Sequence, residues 1–190
     1  MLEQLAGLGQ PELKEIYSDA DGGAAERFGI HPVDLEDRER WRKYAYARYW
    51  ENRLNEERAL SEEELQEWQA YISLDFLNNV ACGVVGEAAR RGLLPESALR
   101  RLEAAPSITP HAARQLRARL ALLGPGVERA LVDRLLDLKA SWALHELLGR
   151  DLSEGELALL EAAAEDHRLS RSERHHLREA LQRRRREPAP

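Results

Sequence analysis

The chain has 190 residues, a formal net charge of −6 and a single cysteine, Cys82. This length suffices to bury a hydrophobic core without metals, and a lone cysteine excludes an internal disulfide. The sequence shows neither a signal peptide nor an apolar run long enough to span a membrane, so we expect a cytoplasmic protein.

The charge is distributed unevenly along the chain. Residues 1–89 hold 9 Lys and Arg against 19 Asp and Glu, whereas residues 90–190 hold 19 against 15. Most of the positive excess lies in residues 167–190, which contain 8 Arg and 3 Glu. An acidic body with a basic end favours electrostatic contact with a partner, although the same charges also keep a protein soluble.

Apolar residues recur at helical spacing, and no segment alternates apolar and polar residues for long enough to predict a strand. We therefore predict an all-α protein, a compact multi-helix bundle or array of about seven to nine helices. It is expected to form a single domain, 1–190, with possible sub-units 1–92 and 93–190. In chain order, helical patterns cover residues 2–8, 11–17, a short turn ending at Gly29, 34–58, 61–91, 95–105, 110–123, 127–148, 154–165 and 171–186.

Several helix starts carry a capping box, in which a serine hydroxyl and a glutamate three residues later satisfy the free N–H groups of the first turn. The pairs are Ser61 with Glu64, Ser153 with Glu156 and Ser170 with Glu173. The first box opens the pattern 61–91, which Gly92 ends and which we interpret as one long central helix. The last two boxes open the patterns 154–165 and 171–186, which predict a C-terminal helical hairpin.

Two segments resemble each other in sequence. Residues 94–105 align with residues 152–163 through shared leucines, alanines and capping residues, and a second capped helix follows each of them. This pattern allows an internal duplication of a helix pair, the unit of a helical array. Ordinary helices share the same residue types, so the alternative is chance similarity.

The pattern 34–58 is rich in aromatic residues that do not share one face. Trp41, Tyr44, Ala45 and Tyr49 gather on one side, whereas Tyr46 and Trp50 lie on the other. Either the helix is sandwiched between two layers, or the second face is an exposed interaction patch. The predicted interaction residues are Tyr46, Trp50, Arg42, Lys43 and Arg53.

A polar stripe crosses the apolar middle of the pattern 61–91. Asp75, Asn78, Asn79 and Cys82 are spaced so that they share one helical face. Buried polar groups need hydrogen-bond partners, so the stripe either bonds neighbouring loops and helix ends or lines a small-molecule pocket.

The C-terminal region offers two further candidate sites. Arg183, Arg184, Arg185 and Arg186 could contact nucleic acid or an acidic partner, or simply complement the helix dipole. Glu173 and His176 have the Glu-x-x-His spacing of metal-binding bundles. One copy of that motif is too few for such a site, so we expect no metal and no cofactor.

These observations favour a non-enzymatic, helical protein-interaction module, such as an adaptor, a regulator or a small subunit of an assembly. Partner binding or self-association is expected. One alternative is a nucleic-acid-binding protein that uses the C-terminal arginine run. Another is an orphan enzyme or ligand binder built around Asp75, Asn79 and Cys82, although no complete catalytic constellation is visible.

Overall fold

The computed structural model describes residues 4–5, 7–21, 23–74 and 76–186. These residues contain eleven helices and no strand, which confirms the all-α class but exceeds the expected number of helices. The chain divides into two compact units, Met1–Pro95 with Ala105–Thr109 and Glu96–Ala104 with Pro110–Pro190. Residues 2, 3 and 6 of the predicted helix 2–8 lie outside the described ones, and the single-domain organisation stays a prediction. No helix in the described part is both long and apolar enough to cross a membrane.

The first unit is built around its longest helix. Its elements are α1 (Gln10–Ser18), α2 (Gly23–Arg27), α3 (Leu35–Leu54), α4 (Glu62–Ile72) and α5 (Asn78–Arg90). Helix α3 packs against α1 and against α5, and α4 also packs against α5. Asp34 caps α3 by accepting a hydrogen bond from the Asp37 N–H at 2.8 Å. Because α3 has neighbours on two sides, it can bury apolar residues on both of its faces.

The predicted long helix 61–91 is interrupted, and this prediction is wrong. It begins as expected with the Ser61/Glu64 capping box, but α4 ends at Ile72 and α5 begins at Asn78. The Asn78 side chain explains the interruption, because its Nδ2 donates to the Ile72 carbonyl at 2.7 Å. This bond satisfies one of the free carbonyl groups at the end of α4.

The second unit consists of six helices. They are α6 (Glu96–Glu103), α7 (Pro110–Ala121), α8 (Arg129–Asp137), α9 (Ser141–Leu147), α10 (Glu154–Ala163) and α11 (Arg171–Arg186). The Ser153 and Ser170 capping boxes begin α10 and α11 as predicted. Leucines and alanines from these helices form the core of this unit, among them Leu135, Leu144, Leu160 and Leu177.

The predicted helix 127–148 is also interrupted. Lys139 adopts a φ of 53°, in the left-handed region that glycine normally occupies. The Lys139 N–H donates to the Leu136 carbonyl and the Ala140 N–H donates to the Leu135 carbonyl, each at 3.0 Å. This bonding pattern is a Schellman motif, which ends α8 and turns the chain back into α9.

Helices of the second unit form three consecutive pairs: α6 with α7, α8 with α9, and α10 with α11. Contacts between successive pairs join α7 to α8, α8 to α10, and α9 to α11. In the last pair, Arg178 bonds Glu165 and Arg185 bonds Glu161, so α10 and α11 run antiparallel. The two segments that align in sequence begin α6 and α10, the first helices of their pairs.

The second helix of each pair runs parallel to its counterpart in the next pair. Trp142 Nε1 of α9 donates to Gln115 Oε1 of α7 at 2.7 Å. One turn further along both helices, Arg119 of α7 bonds Glu146 of α9 at 2.6 Å. Residues that advance together along two helices show a parallel alignment. We call the layer made by α7, α9 and α11 the parallel layer.

Helix α11 continues the parallel layer beyond α9. Ser141 Oγ, at the start of α9, donates to Glu173 Oε1, near the start of α11, at 2.7 Å. Just past the end of α9, the Arg150 carbonyl accepts a hydrogen bond from Arg184 Nη2 at 3.0 Å. These two bonds fix the register of α9 against α11 at both ends.

Candidate interaction surface

The aromatic residues on the second face of α3 are buried. Tyr46 and Trp50 have no exposed surface. The ring of Tyr46 lies 5.2 Å from that of Tyr17 in α1, and the ring of Trp50 lies 4.8 Å from that of Trp68 in α4, measured between centroids. The expectation that this face forms an exposed patch is therefore wrong, and the alternative of a helix sandwiched between neighbours describes its position.

The basic residues predicted beside these aromatics hold the first unit together. Arg53 is only 3% exposed, and its guanidinium bonds Glu64 at 2.5 and 3.0 Å and the Arg58 and Ala59 carbonyls. Arg42 Nε donates to the Tyr17 carbonyl at 3.0 Å, and its guanidinium lies 4.7 Å from the Phe76 ring centre. Lys43 is half-buried. Arg42 and Arg53 thus satisfy groups of their own chain.

The aromatic core of the first unit contains few partners for its polar atoms. The Tyr17 hydroxyl donates to Glu67, which also pairs with Lys14 at 3.0 Å. In contrast, the Tyr46 hydroxyl and the indole N–H groups of Trp50 and Trp68 find no hydrogen-bond partner among the described residues. Burial raises the pKa of Tyr46 well above 10, so its phenol stays neutral.

Three residues of the predicted polar stripe, Asn78, Asn79 and Cys82, lie on α5. Besides Ile72, Asn78 Nδ2 bonds the Ser107 carbonyl at 2.9 Å. The same carbonyl is the acceptor for the buried Cys82 thiol, at 3.8 Å. Asn79 is exposed, and Asp75 lies outside the described residues. Asn78 and Cys82 therefore bond a loop and a helix end, and the pocket interpretation stays a prediction.

Within the Glu-x-x-His pair, Glu173 bonds groups of its own chain. Glu173 accepts from the Ser170 N–H as part of its capping box and from Ser141 Oγ. These hydrogen bonds, with Ser170 contributing most, lower the pKa of Glu173. His176 is exposed. No group of three or more potential metal ligands occurs among the described residues.

Two of the four C-terminal arginines bond their own chain. Arg184 donates to the Arg150 carbonyl and Arg185 pairs with Glu161 at 2.7 Å. Arg183 and Arg186 are exposed and line a shallow groove on α11 with Glu179 and Gln182. Hence only half of the arginine run remains available for the predicted contact with nucleic acid or an acidic partner.

A basic cluster forms where α9 meets α11. Burial, together with the positive charges of His176 and Arg183, lowers the pKa of His145 below 6.5. In the described part of the chain, none of these three side chains hydrogen-bonds or pairs with an acidic group. His145 is half-buried, and the other two are exposed. We call these three residues the His/Arg cluster.

One turn before His145 on α9, Trp142 makes a cation–aromatic contact across the parallel layer. The guanidinium of Arg119 lies 5.0 Å from the ring centre of Trp142, which is partly exposed. Sequence reasoning missed Arg119, Trp142 and His145 as members of this surface. The alignment of residues 94–105 with residues 152–163 was the sequence signal that could have pointed to this surface, because stacked helix pairs place every second helix in one layer.

Comparison with protein-family models, curated proteins and solved structures finds no match to this chain.

Proposed function

We propose that the protein is a non-enzymatic protein-interaction module, acting as an adaptor, a regulator or a small subunit of an assembly. The observation that carries this proposal is the parallel layer, in which α7, α9 and α11 keep a fixed register. Stacked helix pairs of this kind create extended surfaces that bind protein partners. In this proposal the protein acts in the cytoplasm, and α10 with α11 forms the C-terminal hairpin that closes the array.

The way in which the layer is held supports this role. Its interhelical bonds use Gln115, Trp142, Ser141 and Glu173, which fix one helix against the next and leave other side chains at the surface. Such a surface is ordered before a partner arrives, so association does not carry the free-energy cost of ordering it. A rigid layer that is partly aromatic and partly charged fits a specific protein contact better than a solvent-exposed surface that binds nothing.

The test is purification of the tagged full chain from its native host, with light scattering to measure mass and mass spectrometry to identify what binds. We expect a discrete stoichiometric complex. The double variant His176→Glu/Arg183→Glu should remove the partner, because it places two negative charges on the parallel layer. The control is Arg171→Glu, which places one negative charge on the same helix outside the His/Arg cluster.

Two outcomes contradict the proposal. A bare monomer in the host extract shows that the chain has no stable partner. A complex that tolerates the double variant as well as it tolerates Arg171→Glu shows that the parallel layer is not the binding surface. Nucleic acid in the complex favours the alternative of nucleic-acid binding.

A further inference from the structure

The His/Arg cluster brings three basic side chains together from two helices, and its position follows from the register described above. His145 lies one turn after Ser141, and His176 lies one turn after Glu173, the residue that Ser141 bonds. Arg183 lies two turns beyond His176 and next to Arg184, which donates to the Arg150 carbonyl just past the end of α9. We propose that this cluster recognises carboxylate groups of an acidic peptide segment in a protein partner. The proposal rests on the proposed function and names the chemistry of the partner.

In the described part of the chain, none of the three side chains of the cluster has an acidic partner. Arg183 therefore keeps an unmatched positive charge, and the imidazoles of the exposed His176 and the half-buried His145 keep N–H groups that can donate to an acceptor. Elsewhere in this unit arginines are matched with acids: Arg168 bonds Asp133, Asp137 and Asp166. Because the His/Arg cluster lacks such acids among the described residues, a carboxylate from outside would supply the missing charge.

The side chains around the cluster favour a peptide over a nucleic acid as its ligand. Glu146 and Glu179 stand on the same two helices, and both are exposed. A continuous phosphodiester backbone would bring its charges close to these carboxylates, whereas a peptide can place neutral residues opposite them. The whole chain also carries a net charge of −6, which opposes non-specific binding of nucleic acid.

Trp142 extends the site along the parallel layer. Its indole N–H donates to Gln115, and the Arg119 guanidinium lies over its ring. The exposed part of this ring gives a rigid apolar contact next to the cluster. The site therefore fits an acidic segment that also carries an apolar side chain, the usual combination of a charged rim and an aromatic anchor at a protein interface.

The test measures binding of a fluorescein-labelled peptide, in which glutamates alternate with neutral residues and one leucine, to the full chain by fluorescence anisotropy. We expect saturable binding that weakens with added salt. The double variant His176→Gln/Arg183→Gln should weaken it about tenfold. Arg171→Gln/His175→Gln, which removes one arginine and one histidine from exposed positions of the same helix outside the His/Arg cluster, should change the affinity by less than about twofold.

Other outcomes overturn the inference. Equal binding of a peptide with glutamine in place of every glutamate excludes carboxylate recognition. Tighter, cluster-dependent binding of a single-stranded oligonucleotide of matching length makes nucleic acid the ligand. If the acidic peptide does not bind although a host protein associates through the parallel layer, the proposed function stands and this inference fails.

Discussion

Arg53 and Trp50 show how neighbours decide the role of a side chain. Both were predicted at an interaction surface, because they lie on the face of α3 opposite Trp41. In the structure, Trp68 packs on Trp50, and Glu64 lies against Arg53 with two hydrogen bonds. A buried guanidinium with four acceptors is a structural group, and its loss would leave Glu64 without its main partner.

His145 leads to a prediction about pH. Because its pKa is lowered by burial, His176 and Arg183, the unfolded chain binds more protons than the folded chain as the pH falls below about 6.5. Folding stability should therefore fall over that range. His145→Gln removes this proton uptake, so the variant should lose less stability than the wild type between about pH 8 and about pH 5.5 in urea unfolding.

Other charged or titratable groups lie on the helices around His145. They are Arg119 on α7, Lys139 at the end of α8, Glu146 on α9, and Glu173, His176 and Arg183 on α11. Arg183→Gln removes one cause of the lowered pKa and should also reduce the loss of stability at acidic pH. If both variants lose stability with falling pH as steeply as the wild type, His145 is not the group that takes up the proton.

At the scale of the element, Asn78 is expected to separate α4 from α5. Asn78→Ala removes the donor to the Ile72 and Ser107 carbonyls and should lower the free energy of unfolding by about 1 to 2 kcal/mol. Asn79→Ala is the matched control, because this neighbour is exposed, and should change it by less than about 0.5 kcal/mol. Equal effects of the two variants in chemical denaturation would contradict this role for Asn78.

Helix starts could be predicted from the sequence more reliably than helix ends. The Ser61, Ser153 and Ser170 capping boxes join residues three apart, so their signal is local and all three are confirmed. Lys139 gives no such signal. A lysine rarely adopts a positive φ, and only the packing of α8 and α9 makes this conformation favourable enough to interrupt the pattern 127–148.

The same distinction between local and long-range information applies to the candidate sites. The sequence singled out Arg183 and His176, because both stand in conspicuous runs. It could not join them to His145, which lies more than thirty residues earlier and reaches them only through the register of α9 against α11. The burial of Tyr46 likewise depends on α1 and α4, which no spacing within α3 reveals.

At the scale of the whole molecule, net charge and local charge differ in sign. The chain is acidic overall, yet the parallel layer carries a basic cluster without acidic partners among the described residues. Net charge controls solubility and long-range steering, whereas affinity depends on groups that meet at the contact. The acidic composition is therefore compatible with a basic binding site for an acidic partner.

The most direct test of the central claim follows the histidine rings by ¹H–¹³C NMR during titration of the acidic peptide into the full chain. We predict that the resonances of His145 and His176 shift together along one saturating curve, while those of His31 and His111 stay in place. Uniform shifts of all the histidines, or none at His145 and His176, would contradict the claim that the His/Arg cluster on the parallel layer is the binding site.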